Sequence, residues 1–140
     1  MKLNVDLAII GSGFAGSLLA MVARRLGRTV VLLERARHPR FVIGESSTPL
    51  GNLLLEELSD RFDLPRVRAL SKWGTWQQKH PTVGCGLKRG FTFYHHRLDE
   101  PCEGRLGRED QLLVAASPRD EVADTHWYRP DFDWLLAREA

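Results

Sequence analysis

The chain is poor in cysteine. Of its 140 residues only Cys85 and Cys102 carry a thiol. They form no CxxC pair, so the sequence holds neither a disulfide framework nor a zinc or redox motif, and two ordinary thiols in a cytoplasmic protein is the expectation. Charge of one sign is missing too. Twenty Lys and Arg face 18 Asp and Glu, a net charge of +2, which gives no case for nucleic acid or an anionic membrane surface. No apolar run approaches the roughly 20 residues of a membrane-spanning helix. The opening MKLNVDLAII is interrupted by Asn4 and Asp6, and reads as a first strand rather than a signal peptide. There is no internal repeat and no low-complexity tract. A metal-ligand cluster is lacking as well: His95 and His96 are neighbours on an expected strand and would point to opposite faces. Ser46, Asp124 and His126 could be drawn as a hydrolytic triad, but no nucleophile-elbow motif supports one. What remains, 43% hydrophobic and 27% charged, is the composition of a globular domain.

The informative stretch is residues 5–34, VDLAIIGSGFAGSLLAMVARRLGRTVVLLE. A short apolar run from Val5 to Ile10 meets Gly11-Ser-Gly13-Phe-Ala-Gly16. An apolar helical segment follows over residues 14–26, closed by Gly27. A second β-branched run, Thr29 to Leu33, ends in Glu34. This is the dinucleotide fingerprint in its required strand–helix–strand setting. Gly11 permits the tight turn, Gly13 lets backbone approach a pyrophosphate, and Gly16 lets helix and strand pack closely. The amides around Phe14 and Ala15 would meet the diphosphate at a helix N-terminus. Glu34 is placed to accept from the adenosine ribose, and its charge argues against a 2′-phosphate there.

The fingerprint does not separate FAD from NAD. The residues after it are more specific. Residues 40–49, RFVIGESSTP, lie between Pro39 and the next apolar segment and read as a loop. Residues 50–59 place Leu50, Leu53, Leu54 and Leu58 on one face of an amphipathic helix, and Pro65 opens a short second helix over 65–72. Residues 73–86 are rich in loop formers. Leu87 to Tyr94 alternates as a strand does, with Leu87, Phe91 and Phe93 on one side and Lys88 and Thr92 on the other. Residues 97–110 read as a charged loop, and 111–116 as a strand or short helix. In WYRPDFDWLLAREA, Pro130 suits a first helical turn, Asp131 and Asp133 suit its positive end, and Phe132, Leu135 and Leu136 form an apolar stripe. Trp127, Tyr128 and Trp134 are expected to pack rather than to form a cage. Only one βαβ unit is evident, and its strands need further neighbours to bury both faces.

With GxGxxG, Glu34, RFVIGESSTP and LKRGFTF all in place, the chain resembles the flavin-dependent halogenases, the tryptophan-halogenase-like branch of the flavin monooxygenase superfamily. The resemblance covers most of the chain and implies an α/β fold. The expected core is a Rossmann-like FAD-binding domain of the glutathione-reductase type, followed by the start of a mixed β substrate region. Residues 1–50 and about 125–140 would form the cofactor portion, and about 51–124 the helices and first substrate-side strands. The chain would then be the N-terminal part of a longer protein, without the family's W-x-W-x-I-P motif, which Trp73-Gly-Thr-Trp76 does not replace. The implied cofactor is FAD, held by Gly11, Gly13, Ala15, Gly16 and Glu34. A strap of Ile43, Gly44, Glu45 and Ser46 would lie along the flavin, and Arg40 and Arg129 would face the phosphates.

The implied activity is halogenation of an aromatic or other electron-rich small molecule, free or tethered to a carrier protein. In that family a flavin hydroperoxide is attacked by halide to give hypohalous acid, and a lysine matched here by Lys88 presents the halogen to the substrate. Such a lysine must be a cationic donor or amine in a water-poor tunnel. Arg89, on the other face of the strand, would not share the role. The sequence has a single nucleotide fingerprint, so reduced flavin is expected from a separate reductase. The alternatives are a related flavin monooxygenase or reductase without halide chemistry, and a non-catalytic FAD-binding fragment.

Overall fold

The computed structural model describes residues 4–99, 110–115 and 117–140. The glycine-rich stretch folds as its pattern requires. Strand β1 (Leu7–Ile10) leads through the glycines into helix α1 (Phe14–Arg25), which returns to β2 (Val30–Leu33). β1 and β2 pair in parallel, Leu7 opposite Val30 through Ile10 opposite Leu33. Gly27, at φ 74°, ends α1 in the left-handed conformation that glycine adopts without strain.

The GES segment is not wholly loop: Glu45–Ser46 form a short strand β3. Helix α2 (Pro49–Arg61) follows, with Pro49 in its first turn and the Thr48 hydroxyl accepting from the Gly51 amide. The short helix α3 (Pro65–Arg68) runs into a 3-10 turn over Ala69–Ser71. Residues 73–86 are more regular than their composition suggests, because Trp73–Lys79 form helix α4 before strand β4 (Cys85–Lys88). Strands β5 (Gly90–Tyr94), β6 (Gln111–Ala115) and β7 (Asp124–Trp127) and helix α5 (Arg129–Glu139) complete the described chain. Of the expected 111–116 segment, Gln111–Ala115 is strand and 116 lies outside the described residues. Most of the expected 97–110 loop and Cys102 lie outside the described residues.

Among the described residues every pairing beyond the βαβ unit is antiparallel: β7 is the centre of a sheet ordered β3-β7-β4, and β5 pairs with β6. The continuous strand expected from Leu87 to Tyr94 is therefore two strands in two sheets, broken at Arg89. The break turns Phe91 back over Lys88 instead of leaving them on opposite faces: the ammonium nitrogen lies 3.8 Å from the Phe91 ring centroid. His95 and His96 fall past the end of β5, exposed.

The core collects Met21 of α1, Leu55 of α2, Leu64, Val67, Leu70, Trp76 and the α5 stripe Phe132, Leu135 and Leu136. The α5 stripe is as expected, whereas the α2 face is not. Leu50, Leu53 and Leu54 are more than half exposed, and the buried positions of α2 are Asn52, Leu55 and Ser59. Thr48 and Pro49 fix the helix entry, and Asn52 finds a buried acceptor on β7, which sets the rotation against the leucine count. Phe132 holds the core together, stacked on Trp127 at 4.4 Å and on Trp76 at 5.6 Å between centroids. Phe132→Ala should cost about 3–5 kcal/mol of stability in denaturant unfolding. A loss below about 1 kcal/mol would show that α5 is not anchored through this ring.

Candidate functional site

Gly11, at φ 100°, turns the chain at the end of β1. Its amide donates to the Leu33 carbonyl at 2.7 Å. At Gly16 the helix meets the strand so closely that a Cβ would stand 2.0 Å from the Gly11 carbonyl oxygen. Gly13 is the N-cap of α1, in extended conformation and with no side-chain cap, so the first amides of the helix lack intrahelical acceptors. Around Gly13 the space is ordered by charge. A Cβ there would lie 3.5 Å from Arg40 Nη2, 3.7 Å from Arg129 Nη2 and 3.7 Å from Asp133 Oδ2. Two guanidinium groups and a helix N-terminus converge on one glycine.

Asp133 organises these cations. Its side chain has no solvent exposure, and it receives Arg129 in a two-pronged bond, Nε to Oδ1 at 2.7 Å and Nη2 to Oδ2 at 3.0 Å. Arg40 Nη2 approaches from the other side, 3.8 Å from Asp133 and 3.5 Å from Glu34. Arg129 also packs over the Phe14 ring and donates through Nη1 to Glu45 Oε1 at 3.0 Å. Asp133 was expected only to favour the positive end of α5; burial makes it the carboxylate that holds Arg129 in place. The four-residue separation on a helix was the available signal.

Glu34 stands at the end of β2. The Ser12 amide donates to its Oε2 at 3.0 Å and the Ala36 amide to its Oε1 at 3.0 Å. These bonds, with the Ser12 hydroxyl and Arg40 and against some desolvation, hold its carboxyl down to about 2. Glu34 is therefore a fixed anion and acceptor at any working pH. Arg40 Nε and His38 Nδ1 are buried without a hydrogen-bond partner among the described residues. Donors at a helix N-terminus, paired cations and an acceptor carboxylate 18 residues after Gly16 fit the pyrophosphate and ribose of a dinucleotide.

The strap and Lys88 are brought together by β7. Glu45 and Ser46 pair with Trp127 and His126, and on the other edge Gly86 and Lys88 pair with His126 and Asp124. A Cβ on Gly44 would lie 3.1 Å from the Trp127 carbonyl, so the strap runs close to β7. Ile43 is 82% exposed and reaches no core position. Ser46 Oγ is 2.9 Å from His126 Nδ1, while Asp124 Oδ1 takes a hydrogen bond from Asn52 Nδ2 at 2.6 Å. Lys88 is buried, and its ammonium donates to the Ser47 carbonyl at 2.5 Å. Burial pushes its pKa below the ordinary lysine value, and the Asp124 carboxylate works against that fall. Arg89 points elsewhere and pairs with Asp120. Among the described residues no group of His, Cys, Asp and Glu could hold a metal ion, and no helix is long and apolar enough to cross a membrane.

The fold and this cradle define a Rossmann-type dinucleotide-binding unit joined to an antiparallel sheet that carries a buried lysine. Residues 9–56 match the NAD(P)-binding Rossmann-like domain family. Over 96% of its length the chain is 35% identical to the tetracycline 7-halogenase of Kitasatospora aureofaciens, of which it covers 23%. It is 32% identical over 86% of its length to the kynurenine 3-monooxygenase of Stenotrophomonas maltophilia, covering 24% of that protein. Among solved structures, halogenase PltM in complex with phloroglucinol and FAD superposes with a TM-score of 0.75 at 35% identity, over 96% of this chain and 25% of that one. By sequence and by fold the chain is similar to flavin-dependent halogenases, and it spans about a quarter of the length of those it matches.

The two glycines separate folding from binding. Gly16→Ala should destabilise the protein, because its methyl group has no room beside the Gly11 carbonyl. Gly13→Ala has ordinary contact distances and should leave the melting temperature unchanged, while dinucleotide affinity falls by about tenfold or more, as a methyl group enters the phosphate's approach. Equal affinity in Gly13→Ala and the parent, by equilibrium titration with FAD, would place the cofactor elsewhere.

Proposed function

We propose that the complete protein is an FAD-dependent halogenase acting on an aromatic or other electron-rich small molecule. The observation that carries the reading is that a single short strand, β7, joins both halves of the site. One edge pairs with the Glu45–Ser46 strap, the other with the strand ending in buried Lys88, and its end leads into Arg129. The relatives supply the cofactor: a halogenase of the same fold is described in complex with FAD.

On this reading Gly11, Gly13, Ala15 and Gly16 give backbone to the pyrophosphate, Arg40 and Arg129 face its charge, and Glu34 accepts from the ribose. Ile43, Gly44, Glu45 and Ser46 lie along the flavin. Bound FAD, once reduced, supplies with oxygen the oxidising equivalent that turns halide into hypohalous acid. Lys88 then holds that species beside the substrate. Its nitrogen is suited to this task by burial and by the Phe91 ring, which keep water from competing for its protons. Residues 1–50 and about 125–140 form the cofactor portion and about 51–124 the substrate side. The substrate is free or carrier-tethered; one relative is a brominase of a pyrrole carried on a peptidyl-carrier protein. Reduced flavin comes from a separate reductase, and a cytoplasmic setting goes with that supply.

Lys88→Ala should leave FAD binding and flavin reoxidation intact and abolish halogenated product per reduced flavin consumed. Halogenation retained in that variant would move the chemistry to another residue. A flavin monooxygenase is the second reading, favoured by the identity to kynurenine 3-monooxygenase. The complete protein with FAD alone should oxidise NAD(P)H only slowly. Rapid oxidation without a reductase, with hydroxylated product, would establish the monooxygenase instead.

A further inference from the structure

Lys88 is not alone in its pocket. It is 7% exposed, and the groups against its ammonium, the Ser47 carbonyl and the Phe91 ring, are neutral. Neutral acceptors satisfy donors but do not balance a buried charge. Directly opposite Lys88 in the β4–β7 register stands Asp124, 5% exposed. Opposed residues of an antiparallel pair share one face of the sheet at close range. Asp124 Oδ1 is held by Asn52 Nδ2 at 2.6 Å. Its Oδ2 is buried and has no hydrogen-bond partner among the described residues, a costly state for a carboxylate oxygen.

Asn52 is itself 1% exposed on α2. Its amide nitrogen also reaches Ser47 Oγ at 3.3 Å, and Ser47 Oγ accepts from the Thr125 amide at 2.9 Å. Lys88, Ser47, Asn52 and Asp124 thus form one buried cluster at the foot of the strap. Several titratable groups on the surrounding elements have partners of their own, and Glu57 of α2 is exposed. Glu45 of β3 is engaged by Arg129, His126 of β7 by Ser46, Cys85 of β4 by Gln77, and Glu56 of α2 by Ser71 and Lys72. Tyr94 lies at the far end of β5.

We propose that Asp124, oriented by Asn52, is the positioning residue that keeps Lys88 charged and in place in the resting protein. Asp124 acts through Lys88 rather than on substrate, and the importance of this rests on the halogenase reading, though the coupling itself does not. Desolvation lowers the pKa of Lys88, and the opposed carboxylate raises it. A lysine so paired is a donor with a fixed direction, and it holds its proton less firmly when the carboxylate is neutralised.

The test is the titration of Lys88 itself, followed by NMR of the complete protein carrying 13C-labelled lysine, the resonance being assigned by its loss in Lys88→Met. Asp124→Asn keeps the shape and removes the charge. It should move the Lys88 titration down the pH scale by about 1–3, with FAD affinity unchanged, and Asp124→Glu should restore it. Should Asp124→Asn not fold, Asp124→Ser, smaller and still able to accept from Asn52, makes the same test. Any limb of the pH–activity profile that Lys88 governs should move in the same direction by the same interval. A Lys88 titration that is the same in the charge-removing variant and the parent overturns the inference, even in an active halogenase. Absence of halogenated product from the parent would sink the halogenase reading and leave the titration result standing.

Discussion

A carboxylate without access to water must be neutralised where it lies. Asp133 is such a group, and the site is arranged around meeting that need. Arg129 binds it with two parallel hydrogen bonds and Arg40 comes within 3.8 Å. Breaking such a pair by removing one partner costs about 3–5 kcal/mol, because the remaining charge stays buried. The constraint therefore holds Arg129 over the Phe14 ring of α1, sets two guanidinium groups beside Gly13, and leaves Arg129 a third donor for Glu45 of the strap. Asp133, Glu34 and Glu45 share these two cations, and the amides at the N-terminus of α1 add the donors that the phosphates of a dinucleotide would meet.

The same economy appears on the substrate side. β7 is only four residues long, yet it pairs on both edges, and its alternation sends Asp124 and His126 to one face. The ladder places strap and lysine at neighbouring register positions without any long-range loop having to hold them. Sheet pairing is less easily deformed than a loop, so the distance between the cradle and Lys88 is set by backbone hydrogen bonds. The exposed leucines of α2 and the half-exposed strands β1 and β2 belong to a chain that spans about a quarter of its relatives' length.

What could be read in the sequence was the part governed by local rules. Gly11, Gly13, Gly16 and Glu34 lie in a contiguous strand–helix–strand unit, and each demand falls on a residue of fixed type. The α5 stripe follows from helical spacing in the same way. The errors came where distant segments decide. The α2 leucines count as one face, but Asn52 bonding to Asp124, which lies 72 residues on, turns that face outward. Alternation through Leu87–Tyr94 is real, yet Gly90 packs so close to β6 that its Cβ would lie 2.3 Å from the Val114 carbonyl oxygen, and the strand changes sheets there. Asn52 and Asp124 carry no motif; only tertiary burial marks them.

The central claim is that Arg40, Arg129 and the N-terminus of α1 form the phosphate cradle of a flavin. The most direct measurement is a crystal structure of the complete protein with FAD. The diphosphate should accept hydrogen bonds from amides at Gly13–Ala15 and lie within reach of both guanidinium groups, with the ribose on Glu34. A flavin bound with its diphosphate away from Gly13, or Arg40 and Arg129 both turned from it, would contradict the account.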